Sequence, residues 1–186
     1  MSEHPETSDA ALPPAATPLT RAVLEMDGYV ATMGWDLPAR LFALVDTGQL
    51  LASEPGLAAQ LGLAEGQAGG LTPVEQEELP DGMALDEFLG TIAWPEVVAG
   101  CALVVERLML PPGAEAKVPD EVDEDRLAAW VAEHPDRQEV RITAAVLRDG
   151  SRETALRLRA KDSEREVLTG ADLVPALSEA LLATFA

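Results

Sequence analysis

Residues 140–158 read VRITAAVLRDGSRETALRL. Val140, Ile142, Ala144 and Val146 alternate with Arg141, Thr143, Ala145 and Leu147, and Thr154, Leu156 and Leu158 alternate with Ala155, Arg157 and Arg159. A period of two marks strands that lay one face on a core. Asp149-Gly150, between the two halves, is a preferred pair for a two-residue type I′ turn, so the stretch predicts a β-hairpin. Its alternation sends Val140, Ile142, Leu156 and Leu158 inward and displays Arg141, Arg157 and Arg159 on the opposite face.

Upstream, Gly100 to Leu110 reads as another strand, with Ala102, Val104, Glu106 and Leu108 alternating with Leu103, Val105, Arg107 and Met109. Pro111-Pro112-Gly113 closes it. An acidic loop over 113–125 and a short helix over Glu124–Glu133, carrying Leu127, Trp130 and Val131, lead to the hairpin. Downstream, a last helix begins near Ala171 or Asp172 with Thr169 as candidate cap; its stripe is Leu173, Leu177, Ala180, Leu181 and Phe185.

Further out, Met83–Ile92 predicts a helix with Leu85, Phe88, Leu89 and Ile92 on one side, ended by Trp94-Pro95. Residues 71–79 fit either a helix with a Thr72/Glu75 capping box or an edge strand with Pro73 at its margin; strand is the preferred reading. The glycines over 62–70 form a loop, and Leu50–Leu61 is two short helices split at Pro55. Leu41–Val45 is apolar on both strand faces and reads as a central strand. A first helix starts at the Thr17 cap and Pro18, follows Leu19, Val23, Met26, Val30 and Met33, and stops at Gly34. Glu25 and Asp27 are assigned to its water side. Residues 1–16 carry almost no large apolar groups and read as a disordered N-terminal tail.

The fold class that follows is α+β: a single domain over 17–186 with a mostly antiparallel sheet of about four to five strands. The N- and C-terminal helices pack on it, on one face. Strands do not alternate with long crossover helices, and no glycine phosphate loop follows the first strand, which disfavours a dinucleotide-binding fold.

The chain has 186 residues with 33 Asp+Glu against 13 Lys+Arg, a net charge of -20. Residues 1–136 carry 25 acidic and 5 basic side chains, whereas 137–186 carry 8 of each. Such a balance repels nucleic acid and anionic membrane, so no nucleic-acid partner is expected. No run approaches the roughly 20 apolar residues of a membrane span, and no signal segment leads the chain. The expected location is the cytoplasm, without membrane insertion.

Catalytic signatures are scarce. His4 and His134 have no second ligand at metal spacing, and Asp120–Asp125 lacks the glycine and closing glutamate of a calcium loop; no metal or cofactor is expected. No Gly-x-Ser-x-Gly elbow occurs. Cys101, the one cysteine, lies in an apolar strand and should be a buried, inert thiol. Glu75 and Glu77 would share a face of an edge strand, with Glu78 pointing away, most simply as solvated carboxylates. The feature that stands out is the arginine cluster. Arg141, Arg157 and Arg159 on a rigid sheet could grip carboxylates or phosphates of a partner, or be only a solvated or internally paired face.

Several strings resemble a family of actinobacterial proteins with no assigned activity: WDLPARLFALV (35–45), LTPVEQEELP (71–80), IAWP (92–95) with GCALVVERL (100–108), and HPDRQEVR (134–141). The resemblance covers most of 17–186, and 2 Lys against 11 Arg fits a GC-rich genome. It implies a bacterial cytoplasmic protein and transfers no functional residue. In architecture alone the chain is similar to type III secretion chaperones, which bind other polypeptides, usually as dimers.

The first functional reading is therefore a non-enzymatic protein-binding, adaptor or chaperone-like protein. Its partner is another polypeptide, with a homodimer as an option, and Arg141, Arg157 and Arg159 make the contact. The rival is a small-ligand-binding protein or enzyme whose pocket gathers dispersed residues, with Trp35, Trp94 and Glu106 as candidate lining.

Overall fold

The computed structural model describes residues 17–63, 69–115 and 117–186. The tail assigned to 1–16 and most of the glycine-rich loop lie outside the described residues. Helix α1 (Pro18–Ala31) begins as expected, Thr17 Oγ1 accepting from the Thr20 N–H at 3.1 Å. Strand β1 (Arg40–Asp46) leads through α2 (Thr47–Ser53) and α3 (Pro55–Gln60), split at Pro55, to β2 (Leu71–Glu78). Then come α4 (Leu85–Gly90), β3 (Val98–Met109), a helical turn α5 (Pro112–Glu115) inside the expected acidic loop, and α6 (Glu124–Glu133). The hairpin β4 (Gln138–Leu147) and β5 (Arg152–Leu158), the short β6 (Leu168–Gly170) and α7 (Pro175–Ala183) complete the chain.

The strands form one sheet in the order β2-β1-β3-β4-β5-β6, antiparallel throughout. The ambiguous 71–79 segment is indeed the edge strand, where the missing N–H of Pro73 is tolerated. The sixth strand is the one the sequence reading lacked. Thr169, read as a helix cap, instead pairs with Ala155 in β6, and α7 starts later, at Pro175.

The terminal helices do not share a face. Helix α1 packs Leu19, Val23, Met26 and Val30 onto Phe42, Leu44, Ala102, Val104 and Ala145. Leu181 of α7 and Leu89 of α4 join Leu41, Cys101, Leu103, Val105, Ile142 and Val146 on the other side. The reason lies in β1, β3 and β4. The centres of β1 and β3 are apolar on both faces and β4 is buried on both, so one covered face would leave a row of large side chains in water. Cys101 is fully buried in the second layer.

The hairpin turn also differs from the type I′ expectation. Leu147 N–H donates to Ser151 O at 2.8 Å, and Gly150 N–H donates to Leu147 O at 3.0 Å, enclosing three loop residues. Gly150 takes φ +92° and Asp149 has no positive φ, so this is an ordinary turn followed by a left-handed glycine. The resulting register pairs Ile142 with Leu156 and Arg141 with Arg157. A two-residue loop would have set Arg157 against Ile142, mixing charged and apolar side chains on each face. Face matching outweighs the turn preference. At the β3–β4 seam, Gly100 is required by space, since a Cβ there would lie 2.3 Å from Val146 O.

Candidate functional site

Strand alternation aligns Glu106, Arg141 and Arg157 across β3, β4 and β5, on the sheet face that α1 covers. Their fate is set by α1 and by the turn that follows it. Asp27 lies four residues after Val23 and three before Val30, within the buried arc rather than on the water side. It is 1% exposed and meets Arg157 across two parallel contacts: Nε to Oδ1 at 3.2 Å and Nη2 to Oδ2 at 2.6 Å. Arg157 Nη1 donates to Asp162 Oδ1 at 3.0 Å. The bond to Asp27 raises the guanidinium's pKa above its ordinary value, against the desolvation that opposes charge there.

Arg141 is fully buried. Its Nη2 donates to Gly34 O and to Glu106 Oε1, the latter at 3.0 Å, and its Cζ stands 4.4 Å from the Trp35 ring centroid. Its Nε and Nη1 have no hydrogen-bond partner among the described residues. Glu106 Oε2 accepts the backbone N–H of Asp36 at 2.8 Å, fixing the turn. The Trp35 indole donates to Asp162 Oδ2 at 3.0 Å, the leading reason that this carboxyl is held below its ordinary pKa. Arg159, partly exposed, donates to both Asp36 oxygens at 3.0 and 3.1 Å and to Glu139 at 3.1 Å.

The expectation of a displayed arginine face is thus corrected. Arg141, Arg157 and Arg159 do share one face, but it is roofed by α1 and residues 34–37, and five carboxylates of the same chain occupy the three guanidiniums. The alternation showed which face they took; it did not show which helix would cover it. Asp27 was the missed partner, and its place in the 23/27/30 spacing was the signal.

The second trio separates. Trp35 and Glu106 border one small cleft of about 170 Å³ with Arg159. Trp94 lies on the other side of the sheet, donating to Thr184 Oγ1 at 2.8 Å and stacking on Phe185 at 5.9 Å. Arg148 covers Phe185 and donates to Val98 O and Pro95 O, pinning the chain end. These three residues do not line one pocket.

The acidic run on β2 is similarly engaged. A register shift between Arg40 and Phe42 lets Arg40 reach both Glu75 and Glu78, so Glu78 does not point away from Glu75. Cys101 is buried as expected, and desolvation pushes its thiol up to about 11. Among the described residues no group of three His, Cys, Asp or Glu is placed to hold a metal ion. No helix among them is long and apolar enough to cross a membrane.

Among the clefts of the described residues, one of about 1040 Å³ is a groove on the α7 side of the sheet, beside the area that α7 covers. Leu41, Ala43 and Val45 of β1 and Val74 of β2 contribute from the sheet. Leu50 and Leu57 contribute from α2 and α3, and Phe88, Ile92, Trp94 and Val97 from α4 and the segment after it. Among the described residues Ser53, Glu54 and Gln76 are its polar side chains, besides the Trp94 indole that donates to Thr184. Leu57 and Val97 are 39% and 44% exposed. Of the earlier candidates, only Trp94 belongs to this groove. The sequence carried no cue to it, because its lining is the same kind of residue that builds the core.

No curated protein and no solved structure matches the chain. Residues 19–186 match the family model described as PPA1309-like protein, and the chain belongs to that family.

Proposed function

We propose that the protein is a non-enzymatic polypeptide-binding protein, of adaptor or chaperone-like type, and that its partner seats in the groove over β1 and β2. The observation that carries this reading is the lining itself. A largely apolar groove with a deep floor of Leu41, Ala43 and Val45 and exposed Leu57 and Val97 on its rim suits the side chains of another polypeptide. The competing reading, a small-ligand site or an enzyme, wants several convergent polar groups within an enclosing cavity. Ser53, Glu54 and Gln76 supply few such groups. The internally paired arginine network supports the groove indirectly, because Arg141, Arg157 and Arg159 each already meet a carboxylate of their own chain, and Arg141 and Arg157 are buried from a partner.

Site-specific photo-crosslinking in the native cell tests this. A benzophenone side chain at position 57 or 97 should give an adduct with a polypeptide, and one at Leu168 on the far edge of the sheet should not. Equal adducts from all three positions, or none from 57 and 97, would overturn the reading.

A further inference from the structure

From Leu41 to Glu106 the sequence contains 11 Asp and Glu and not one Lys, Arg or His. Every residue that lines the groove, from Leu41 to Val98, comes from this stretch. Elsewhere in the fold, carboxylates of the covered face are met by Arg141, Arg157 and Arg159. Around the groove Arg148 is held by backbone carbonyls of the wall, those of Trp94, Pro95 and Val98, and among the described residues no cation pairs with a carboxylate of the rim. Glu54 stands in the lining, Glu96 lies between Pro95 and Val97 on the wall, and Asp86 and Glu87 belong to the helix that carries Phe88. All four are exposed, and no ion pair among the described residues involves them.

We infer that the groove takes a cationic amphipathic helix: an apolar stripe laid on β1 and β2, with Lys or Arg flanking it toward Glu54, Glu96, Asp86 and Glu87. This inference rests on the groove being a polypeptide site and adds the chemistry of the occupant. Charge complementarity selects cations and disfavours a second copy of this chain, since two such acidic rims would face each other. The helical form follows from backbone accounting. Strand β1 is paired on both sides, by β2 and β3, so the groove floor there offers no free main-chain groups. A segment buried on it must satisfy its own N–H and C=O groups, which a helix does.

The test uses the full chain and three synthetic peptides of about 18 residues, long enough to form a helix. One is a Leu/Lys amphipathic pattern, one the same pattern in Leu/Glu, and one a scramble of the Leu/Lys peptide with no apolar face. Binding is read by fluorescence anisotropy against the wild type and the exposed-site double variant Leu57→Asn/Val97→Asn. The expected result is that the Leu/Lys helix binds the wild type at least about tenfold more tightly than either other peptide, and the double variant at least about tenfold more weakly. Equal binding of the Leu/Lys and Leu/Glu helices, both weakened in the double variant, would overturn the charge selection while leaving the groove as a polypeptide site. Equal binding of the scramble would reduce the effect to the chain's net charge and overturn the inference. Unchanged binding to the double variant would overturn the groove itself. A dimer in sedimentation that the double variant dissolves would show a second copy as occupant, and would overturn the cationic partner.

Discussion

The two ends of one sheet are finished in different ways. Around β3, β4 and β5, both faces are roofed, by α1 on one side and α7 on the other, and every arginine of the cluster meets carboxylates of its own chain. Around β1 and β2, α1 covers one face, while the other is left as a groove with exposed Leu57 and Val97 on its rim and, among the described residues, no cation paired with Glu54 or Glu96 beside it. The difference teaches where to look for function. The arginine cluster that stands out in the sequence proved to be paired within the chain, and the groove is made of residues that read as ordinary core.

The sharpest way to break this contrast is to unpair the closed end. Asp27→Ala should lower stability by about 3–5 kcal/mol, because it strands the buried Arg157 with only the half-exposed Asp162. Urea denaturation measures it, and a loss below about 1 kcal/mol would show that the roofed face is looser than its geometry. Adding Arg157→Met to Asp27→Leu should recover much of that loss, since an apolar pair leaves no charge to satisfy.

Gly100→Ala tests the same end without touching charge. The new Cβ would press on Val146 O across the β3–β4 seam, and backbone cannot step aside cheaply, so a loss of about 1–3 kcal/mol is expected. A melting temperature equal to wild type would mean that the seam can shift.

A smaller effect is expected from acid. The carboxyl of Asp162 is held low in the fold by the Trp35 indole and then by Arg157. A depressed folded pKa contributes stability that is fully present above the unfolded value of about 3.9. That contribution is lost as pH falls from there through the lower folded value. Asp162→Asn should therefore narrow the stability difference between neutral pH and about pH 3. An acid limb identical to that of the wild type would show that Asp162 has no such role.

The smallest change belongs to the open end. Leu57→Asn with Val97→Asn, both on exposed positions, should alter stability by less than about 1 kcal/mol in total. A larger loss would mean that the groove is core, and the contrast between the two ends would fail.

How much of this was legible in residue order follows a physical line. The Thr17 cap, the Pro55 break, the interior strand at 41–45 and the strands of the hairpin were readable, because caps, proline geometry and period-two alternation are local properties. The α+β class followed from them. Three matters were not local. The hairpin loop was settled by which residues must share a face, and the three-residue turn at 148–150 overrode the pair preference of Asp149-Gly150. Strand β6 is three residues long and exists because β5 offers it an edge, so no periodicity announces it. The role of the arginines depended on what lay above them. Alternation placed Arg141, Arg157 and Arg159 together, but only the packing of α1, with Asp27 meeting Arg157, and of the turn after it decided that Arg141 and Arg157 are buried and Arg159 is paired at their margin. The groove is the reverse case. Its leucines and valines look identical in sequence to those beneath α7, and whether a helix covers such a row is fixed by the length and position of α4 and α7, a property of the assembled layers.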